Sequence, residues 1–527
     1  MKNAVVLVAT IALGAALRVA GIHWGLPDAT HPTYSYHPDE ALTVSWAQWL
    51  VQGYLIPKQF IYGGTLNSTM LNAFRHFGES LHPWLGGASS LADTLLAGRY
   101  FIVMLSLLTI LLVYETGRAL FDATRGLIAA AIVALAPVHV FMAQNVRPDE
   151  TATFIAALIV YLSALIYRSD AQRDQRFFAY VGFALGAAVA FRFPLAVFGL
   201  TPIAAWLLRD TPSSLGAAVR QLLGKRSWIL AGMVLLGYAV TSPHTFIYWR
   251  DVIDGVLTTW SYETGVFPDA AERGPGIWQY GWTQLREGLG IPLHLFALAA
   301  IAYTLVRRSR EQLLLLAAFV PYFVLTTLAS WVVVRYVVPM VPVIALLIAA
   351  GATAALRTSR TWRVAASAVL VAALTWTLLS DIAFARIERD RNVREEAADW
   401  IAEHAPPQSS VATVWQYNTD VYLNPVIRGD YRVSAVITDH SAEQALSSGD
   451  IDFLVVNETV YKNMERLGDR HPYEGIRVYK KAFDAAPYHL VAEFQKPVTF
   501  AGLDFSSTFT SQDYAVINPG IRVYQRN

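Results

Sequence analysis

Long apolar stretches recur through the first three-quarters of the chain, and they restrict its possible folds more than any other feature. Each is about 17–25 residues long, the length that a helix needs to cross the hydrocarbon core of a bilayer. Only 15% of the 527 residues are charged, whereas a soluble protein carries about a quarter. The sequence therefore predicts a polytopic α-helical membrane protein. Eleven transmembrane helices are expected, near residues 4–21, 93–115, 126–143, 150–167, 177–190, 192–208, 228–245, 289–306, 312–331, 335–355 and 363–382.

Positive charges predict how these helices are oriented, because Lys and Arg collect in the short cytoplasmic connections of membrane proteins. With a cytoplasmic N-terminus, every inner connection between spans carries at least two of them, for example Arg307 and Arg308. The outer connections hold few, although they include the longest loops. The sequence thus predicts a multi-pass protein of the cell (inner or plasma) membrane, with a cytoplasmic N-terminus and an extracytoplasmic C-terminus.

After residue 385 the chain becomes more polar and changes its pattern. An amphipathic helix is predicted over Arg386–His404, and short β-like runs separated by turn signals follow it. We therefore expect a membrane domain over residues 1–384 and an extracytoplasmic α/β domain over residues 385–527. Strands are predicted at Val411–Trp415, Phe453–Val456, Ile476–Tyr479, His489–Phe494 and Ile521–Tyr524.

Composition excludes several kinds of function. Lys and Arg number 41 against 40 for Asp and Glu, a net charge of +1, so nothing indicates nucleic acid as a partner. The chain contains no Cys, which excludes disulfides, thiolate chemistry and a Cys-based zinc site.

The tetrapeptide x-Pro-Asp-Glu occurs twice, ending at Glu40 and at Glu150, and each copy lies next to a predicted span. In the predicted topology both copies lie on the outer side, as does Arg192. Proline followed by acidic residues is also a good helix start, so helix capping explains either copy alone as well as a functional role does. Two copies on one side of a charge-poor protein favour a shared site.

A series of short motifs follows the membrane part in order: His37-Pro38-Asp39-Glu40, Ala97-Gly98-Arg99-Tyr100, Gly117-Arg118-Ala119-Leu120-Phe121, Ala136-Pro137-Val138-His139, Arg147-Pro148-Asp149-Glu150, Gly186-Ala187-Ala188-Val189-Ala190-Phe191-Arg192, Ser242-Pro243-His244 and Val334-Arg335-Tyr336-Val337-Val338-Pro339. In this order and topology the chain resembles the GT-C class of membrane glycosyltransferases, in the protein-mannosyltransferase and aminoarabinose-transferase-like group. The resemblance covers the whole membrane part. The C-terminal domain resembles the outer domains of these enzymes only in position and α/β character.

The resemblance implies a hexosyl- or pentosyltransferase that moves a sugar from a polyprenyl-phosphate-linked donor to a glycan, lipid or protein acceptor on the outer face. Inverting displacement at the anomeric carbon needs a base that takes the proton of the acceptor hydroxyl. By position, Asp39 matches the catalytic acid in the first outer loop of the family, with Glu40 as its neighbour. The histidine that follows this acidic pair in many protein mannosyltransferases is absent here.

The remaining candidates follow from the same resemblance. Asp149, Glu150 and His37 are expected to orient the acceptor or the sugar. The departing phosphate needs cations, and the candidates are Arg147, Arg192 and Arg335, with Lys58 as a lesser one. Contact with lipid headgroups explains each arginine equally well when it is taken alone. No cofactor is expected to be required, and a divalent cation, Mg²⁺ or Mn²⁺, at Asp39, Asp149 and Glu150 is a lesser alternative.

Two other functions remain open from the sequence. A transporter or flippase of lipid-linked substrates would use similar charges along a pathway, although it would be expected to show broken helices at the bilayer midplane and repeat symmetry. A ligase or polymerase of preassembled glycans on the outer face would share the donor chemistry.

Overall fold

The structure is a computed structural model. It describes residues 2–28, 35–37, 39–40, 70, 91–170, 174–265, 274–355, 359–415, 432–437, 450–467, 477, 480, 484 and 488–527. Lys58, one of the predicted phosphate ligands, lies outside these residues.

The chain is mainly helical up to residue 404. The helices are α1 (Lys2–Ala20), α2 (Leu91–Leu120), α3 (Ala123–Leu135), α4 (Pro137–Met142), α5 (Pro148–Arg168), α6 (Gln175–Phe191), α7 (Leu200–Asp210), α8 (Leu215–Leu222), α9 (Lys225–Thr241), α10 (Trp249–Thr264), α11 (Gly276–Trp278), α12 (Leu285–Leu289), α13 (Ile291–Arg307), α14 (Arg310–Thr326), α15 (Val341–Ala355), α16 (Arg360–Arg389) and α17 (Val393–His404). Short 3₁₀ helices span Phe193–Gly199, Pro243–Phe246 and Val334–Met340, and a π-helical turn spans Gln279–Gln284.

A helix lies at each of the eleven predicted spans. Within the described residues, six helical segments are long and apolar enough to cross a membrane by length and composition: Lys2–Ala20, Leu91–Leu120, Pro148–Arg168, Phe193–Asp210, Val334–Thr353 and Arg360–His404. Helices α3, α6 and α13 are apolar but shorter. The chain is therefore a polytopic helical membrane protein, and the count of eleven crossings stays a prediction.

Proline residues lie where one apolar helix ends and the next one begins. Pro194 follows the end of α6, and Arg192 between them has an extended backbone (φ −152°, ψ 111°). Pro137 and Pro148 are the first residues of α4 and α5, and the residues before them are extended. Because proline lacks an N–H group and disfavours helical geometry in the residue before it, a new helix starts at Pro137 and at Pro148. The predicted single span over residues 126–143 is therefore two helices, α3 and α4.

Helices α6 and α9 pack through glycine. A Cβ atom on Gly186 would lie 2.2 Å from the carbonyl oxygen of Val234, and one on Gly237 would lie 2.3 Å from that of Phe183. Backbones can approach this closely only where a side chain is missing, as is common between membrane helices. The pairing fixes the end of α6, and with it Arg192.

The C-terminal part contains a mixed five-stranded sheet. Its strands are β1 (Ser410–Trp415), β2 (Arg432–Ile437), β3 (Phe453–Asn457), β4 (Tyr488–Phe494) and β7 (Ile521–Arg526), in the order β2-β1-β3-β7-β4. β1 runs parallel to β2 and β3, and β7 runs antiparallel to β3 and β4. Helix α17 covers the sheet with Ala397 and Ile401, which pack against Val411 and Val523. A hairpin of β5 (Thr499–Phe500) and β6 (Leu503–Asp504) and the helices α18 (Glu458–Leu467) and α19 (Gln512–Ala515) complete this part.

Strands lie at four of the five predicted positions. Of the fifth, Ile476–Tyr479, the structure describes only Arg477, which is helical. β2, β5 and β6 were not predicted. The predicted domain boundary at residue 385 falls inside α16, because this helix continues to Arg389 before Asn392 caps α17.

The two ends of the helices carry different sets of contacts. At one end, Arg168 donates to the carbonyl oxygen of Ala119, and Arg310 donates to that of Leu208. The sequence places all four of these residues on the cytoplasmic side. Asp39, Asp149 and the C-terminal part meet at the other end. Residues that the sequence assigns to the inner side thus lie at one end of the helices, and residues that it assigns to the outer side lie at the other end. Which end faces the cytoplasm stays a prediction.

Candidate active site

Three arginines reach one site from the ends of helices. Arg147 precedes α5 with an extended backbone (φ −133°, ψ 155°), and Arg192 follows α6. Arg335 is the second residue of the 3₁₀ helix that leads into α15. Charged side chains at such positions lie at the edge of the apolar region rather than inside it.

Arg147 is at the centre of the site. Its Nη2 atom lies 3.2 Å from Oδ2 of Asp39, and its Nε atom lies 3.3 Å from Oδ2 of Asp149. Its Nη1 atom lies 3.1 Å from Nε2 of His37. The planar guanidinium group can engage several partners at once. Side chains from both Pro-Asp-Glu copies thus meet on one cation.

Arg192 and Arg335 extend the group. Nη1 of Arg192 donates to Oδ1 of Asp149 over 2.8 Å, and Nη1 of Arg335 donates to Oδ1 of Asp513 over 2.6 Å. Both guanidinium groups lie over the ring of Tyr336, 5.3 Å and 5.6 Å from its centroid, where the ring attracts them. We define the arginine–aspartate cluster as Arg147, Arg192, Arg335, Asp39, Asp149 and Asp513.

Asp39 is the accessible carboxylate among the predicted site residues. Its side chain is 40% exposed, whereas that of Asp149 is 2% exposed. Partial burial raises the pKa of the Asp39 carboxyl, but the combined opposite effect of Arg147, Arg335 and His37 is larger and lowers it to about 2. Asp39 is therefore both ionised and reachable at physiological pH.

His37 is buried against Arg147. Burial lowers the pKa of its imidazole, and the positive charge of Arg147 lowers it further, to about 4. The ring is therefore neutral at physiological pH. Nε2 faces Nη1 of Arg147 over 3.1 Å, and Nδ1 accepts from the backbone N–H of Asp39 over 3.3 Å. His37 thus acts on the cluster by orienting Arg147.

Glu40 faces away from the cluster. Nε and Nη2 of Arg99 donate to its two oxygens over 2.9 Å and 2.6 Å. The hydroxyl group of Ser35 and the backbone N–H of Val146 also donate to it. Both side chains of the ion pair are fully buried. This geometry favours an anchoring role, which fixes the residue next to Asp39, over the predicted catalytic role.

Glu150 also faces away from the cluster. Its Oε2 atom lies 3.5 Å from Nε2 of His139, and both side chains are fully buried. Arg18 and Ser106 contact the other nitrogen of the same imidazole. Glu150 thus belongs to a separate polar group between the helices, away from the residues that were predicted to orient the acceptor with it.

The described residues offer no group of three or more His, Asp or Glu side chains that could hold a metal ion. Asp39 and Asp149 meet the guanidinium group of Arg147, and Glu150 lies against His139. A divalent cation shared by Asp39, Asp149 and Glu150 would need all three carboxylates to converge. The geometry therefore does not support this alternative.

A partly open cavity lies beside the cluster. Its wall is mostly apolar, with Trp260 and Leu325 among the lining residues. Arg192, Glu263 and Tyr336 also line it, and the hydroxyl group of Tyr336 donates to Glu263. An apolar cavity with a few convergent polar groups is typical of a ligand site.

Sequence reasoning missed several residues of this site. Tyr336 and Arg99 belong to motifs that carry the family resemblance, so the motif order was a signal for them. Glu263 lies in α10, in a part of the sequence without a motif. Asp513 belongs to the C-terminal part, and only the fold brings it to Arg335, 178 residues away along the chain.

Glu287 joins the C-terminal part to the membrane helices. The hydroxyl group of Thr510 donates to its Oε1 atom over 2.5 Å, and the hydroxyl group of Tyr514 donates to its backbone oxygen over 3.2 Å. The Glu287 side chain is 1% exposed. Burial raises the pKa of its carboxyl from 4.5 to about 7.

We expect the stability of the protein to fall as the pH rises through 7. Because the folded pKa of Glu287 lies above the unfolded value, its contribution is fully present below pH 4.5 and is lost as the pH passes about 7. The full difference is about 3 kcal/mol. Thermal unfolding of the purified protein between about pH 5 and pH 8 measures this loss. The Glu287→Gln variant should lose the part of the dependence that Glu287 contributes, and a pH dependence equal to that of the wild type would contradict the assignment.

Comparison with known proteins places this geometry in a fold class. A family described as dolichyl-phosphate-mannose-protein mannosyltransferase matches residues 82–249. No curated protein matches the sequence. The Archaeoglobus fulgidus oligosaccharyltransferase tethered with an acceptor peptide has a similar structure, with a TM-score of 0.53 at 12% identity over 98% of this chain and 77% of that chain.

Two further structures are similar. The oligosaccharyltransferase AglB from Archaeoglobus fulgidus, in complex with an inhibitory peptide and a dolichol-phosphate, has a TM-score of 0.52 at 12% identity over 98% of this chain and 78% of that chain. The chain has the GT-C fold. ArnT from Cupriavidus metallidurans bound to undecaprenyl phosphate gives a TM-score of 0.47 at 12% identity over 98% of this chain and 97% of that chain.

The GT-C fold confirms the resemblance that the motif order indicates. The family match includes Arg147, Asp149 and Arg192, whereas Asp39 and Arg335 lie outside the matched range. The geometry adds these two residues, because both reach the same cluster as the matched ones.

Proposed function

We propose that the protein transfers a sugar, a hexose or a pentose, from a polyprenyl-phosphate-linked donor to an acceptor hydroxyl at the arginine–aspartate cluster. One observation carries this proposal: an ionised, accessible Asp39 lies on the same cation as Asp149, beside an apolar cavity that Arg192 lines. The dolichol-phosphate complex of the similar AglB supports a lipid phosphate as the donor class.

The cavity and the arginines suit the two halves of such a donor. A prenyl chain gains free energy by leaving water for an apolar wall, and the cavity beside Arg192 offers one. Guanidinium groups bind phosphate oxygens through paired hydrogen bonds. The guanidinium groups of Arg192 and Arg335 both lie over the ring of Tyr336. We assign them the binding of the donor phosphate.

The transfer step needs one base and one charge-stabilising group. The bond between the anomeric carbon and the phosphate oxygen breaks, and its electron pair leaves with the phosphate, where the arginines stabilise the charge. The acceptor oxygen forms the new bond to that carbon. Its proton passes to Asp39. A carboxylate with so low a pKa is a weak base, so it takes the proton late, when the attacking hydroxyl has become acidic.

Burial and hydrogen bonds support different roles for the other groups of the cluster. Asp149 is buried between Arg147 and Arg192, so we assign it the positioning of both arginines. His37 fixes the orientation of Arg147. The acceptor, which is a glycan, a lipid or a protein, reaches Asp39 from the side that solvent reaches.

The Arg192→Gln variant tests the donor assignment. We expect the KM for a polyprenyl-phosphate sugar to rise at least about 10-fold, because a hydrogen bond to a charged group contributes about 1.5–3 kcal/mol. Steady-state transfer assays on the purified protein in lipid nanodiscs measure this. Arg250→Gln, at an exposed arginine near the start of α10, is the matched control and should leave KM unchanged. Equal KM values in both variants would refute phosphate binding by Arg192.

A transporter or flippase is the second candidate. It predicts that the wild-type protein binds or moves a polyprenyl-phosphate sugar without consuming it. The same assay separates the two functions, because only a transferase releases free polyprenyl phosphate in proportion to the glycosylated acceptor.

A further inference from the structure

The C-terminal part of the chain contributes one carboxylate to the cluster. Asp513 lies in the short helix α19, and its side chain is 2% exposed. The other five members of the cluster come from the membrane part. Nothing in the transfer step described above uses Asp513, although it contacts two of the three arginines.

Asp513 occupies a complete anion site. The backbone N–H of Arg335 donates to Oδ2 over 3.0 Å, and Nη1 of the same residue donates to Oδ1 over 2.6 Å. Nη1 of Arg147 lies 3.6 Å from Oδ1. One backbone amide and two guanidinium groups are also the donors that a phosphate group uses. A carboxylate therefore lies where the arginines could hold a phosphate.

Contacts other than those of Asp513 hold the segment around it. The backbone N–H of Val334 donates to the hydroxyl oxygen of Ser511, and the indole N–H of Trp331 donates to Gln512, both over 3.2 Å. The ring of Tyr514 packs 5.1 Å from that of Phe141. These contacts do not involve the Asp513 carboxylate, so we expect the segment to stay docked when another anion takes the place of this carboxylate.

The charges of the cluster are balanced. Three guanidinium groups face three carboxylates, so an incoming phosphate adds a negative charge that must find a cation. Asp149 is held by two arginines at once, and Asp39 is needed for the proton. Asp513 is the carboxylate that can exchange.

We propose that Asp513 is a resident counter-ion, which the donor phosphate replaces on Arg335 and Arg147. The inference rests on the proposed function, and it gives Asp513 control over donor binding at the same site. Without donor, Asp513 holds the two arginines in place and shields their charges from each other. With donor, the phosphate takes over these hydrogen bonds, so the C-terminal part sets the affinity for the lipid carrier.

Binding of undecaprenyl phosphate to the full-length protein in nanodiscs tests this proposal. The Asp513→Asn variant keeps the shape of the side chain and an oxygen for the Arg335 N–H, but it removes the competing charge. We expect its Kd to fall about 10-fold, because the arginines no longer exchange one anion for another. An unchanged or higher Kd would overturn the proposal, since it would mean that Asp513 only supports the position of Arg335.

Two further variants sharpen the result. Thr510→Val removes a hydrogen bond of the same segment without touching an arginine, and its Kd should equal that of the wild type. Asp513→Ser removes the same charge with a smaller side chain and supplies the test if the asparagine variant does not fold. A wild-type protein that does not bind undecaprenyl phosphate at all would contradict the proposed donor, a result distinct from binding that the Asp513 variants fail to tighten.

Discussion

The Asp39→Asn variant is expected to lose sugar transfer almost completely, with kcat lower by about 10³-fold. General base catalysis contributes about 10²–10⁴-fold, and the side chain of Asp149 is too buried to replace the lost base. The donor KM should change little, because Arg192 and Arg335 keep their positions on Tyr336. Initial rates at saturating donor and acceptor measure kcat directly.

A matched control makes this result specific. Asp254→Asn changes an exposed aspartate of α10 and should transfer at the wild-type rate. Binding of undecaprenyl phosphate to the Asp39→Asn variant shows whether the site is still formed. A variant that binds the carrier normally and still transfers at near the wild-type rate would remove Asp39 from the role of base.

Arg99→Ala is expected to give the largest loss of stability. Its guanidinium group pairs with both oxygens of Glu40 and donates to the backbone oxygens of Ile22 and Trp24. Both side chains of the pair are fully buried, and removal of one partner from such a pair costs about 3–5 kcal/mol because the other charge stays buried. A large drop in Tm should follow. Transfer should fall too, because Glu40 anchors the neighbouring Asp39.

The same helix offers a control for this prediction. Arg118 also lies in α2 and pairs with a glutamate, but its side chain is 58% exposed. Exposed ion pairs contribute about 0–1 kcal/mol, so Arg118→Ala should leave Tm nearly unchanged. If the two variants lowered Tm equally, the pair of Arg99 and Glu40 would have no special role in holding the site.

The two Pro-Asp-Glu copies show where sequence reasoning stops. The pattern indicated that both copies lie on one side, and the structure brings Asp39 and Asp149 to one cation. The interpretation of the sequence, however, treated the Asp and Glu of each copy as one acidic pair. Successive residues of a helix point about 100° apart, so the second acid of each pair faces a different neighbour: Arg99 for Glu40 and His139 for Glu150.

The sequence by itself determined the features that depend on a few neighbouring residues. Apolar runs of bilayer length, the helix start at Pro148 and four of the strands all follow from local composition and backbone chemistry. Their physical causes act within one helical turn or one strand, and they need no knowledge of the rest of the chain.

The tertiary structure alone decided which charges share a site. Asp513 reaches Arg335 from 178 residues away, and no pattern in the sequence marks it. The stability of a buried charge depends on which partners the packing brings within hydrogen-bond distance. Those partners come from separate helices and from the C-terminal part, so the composition of the arginine–aspartate cluster is a property of the folded chain.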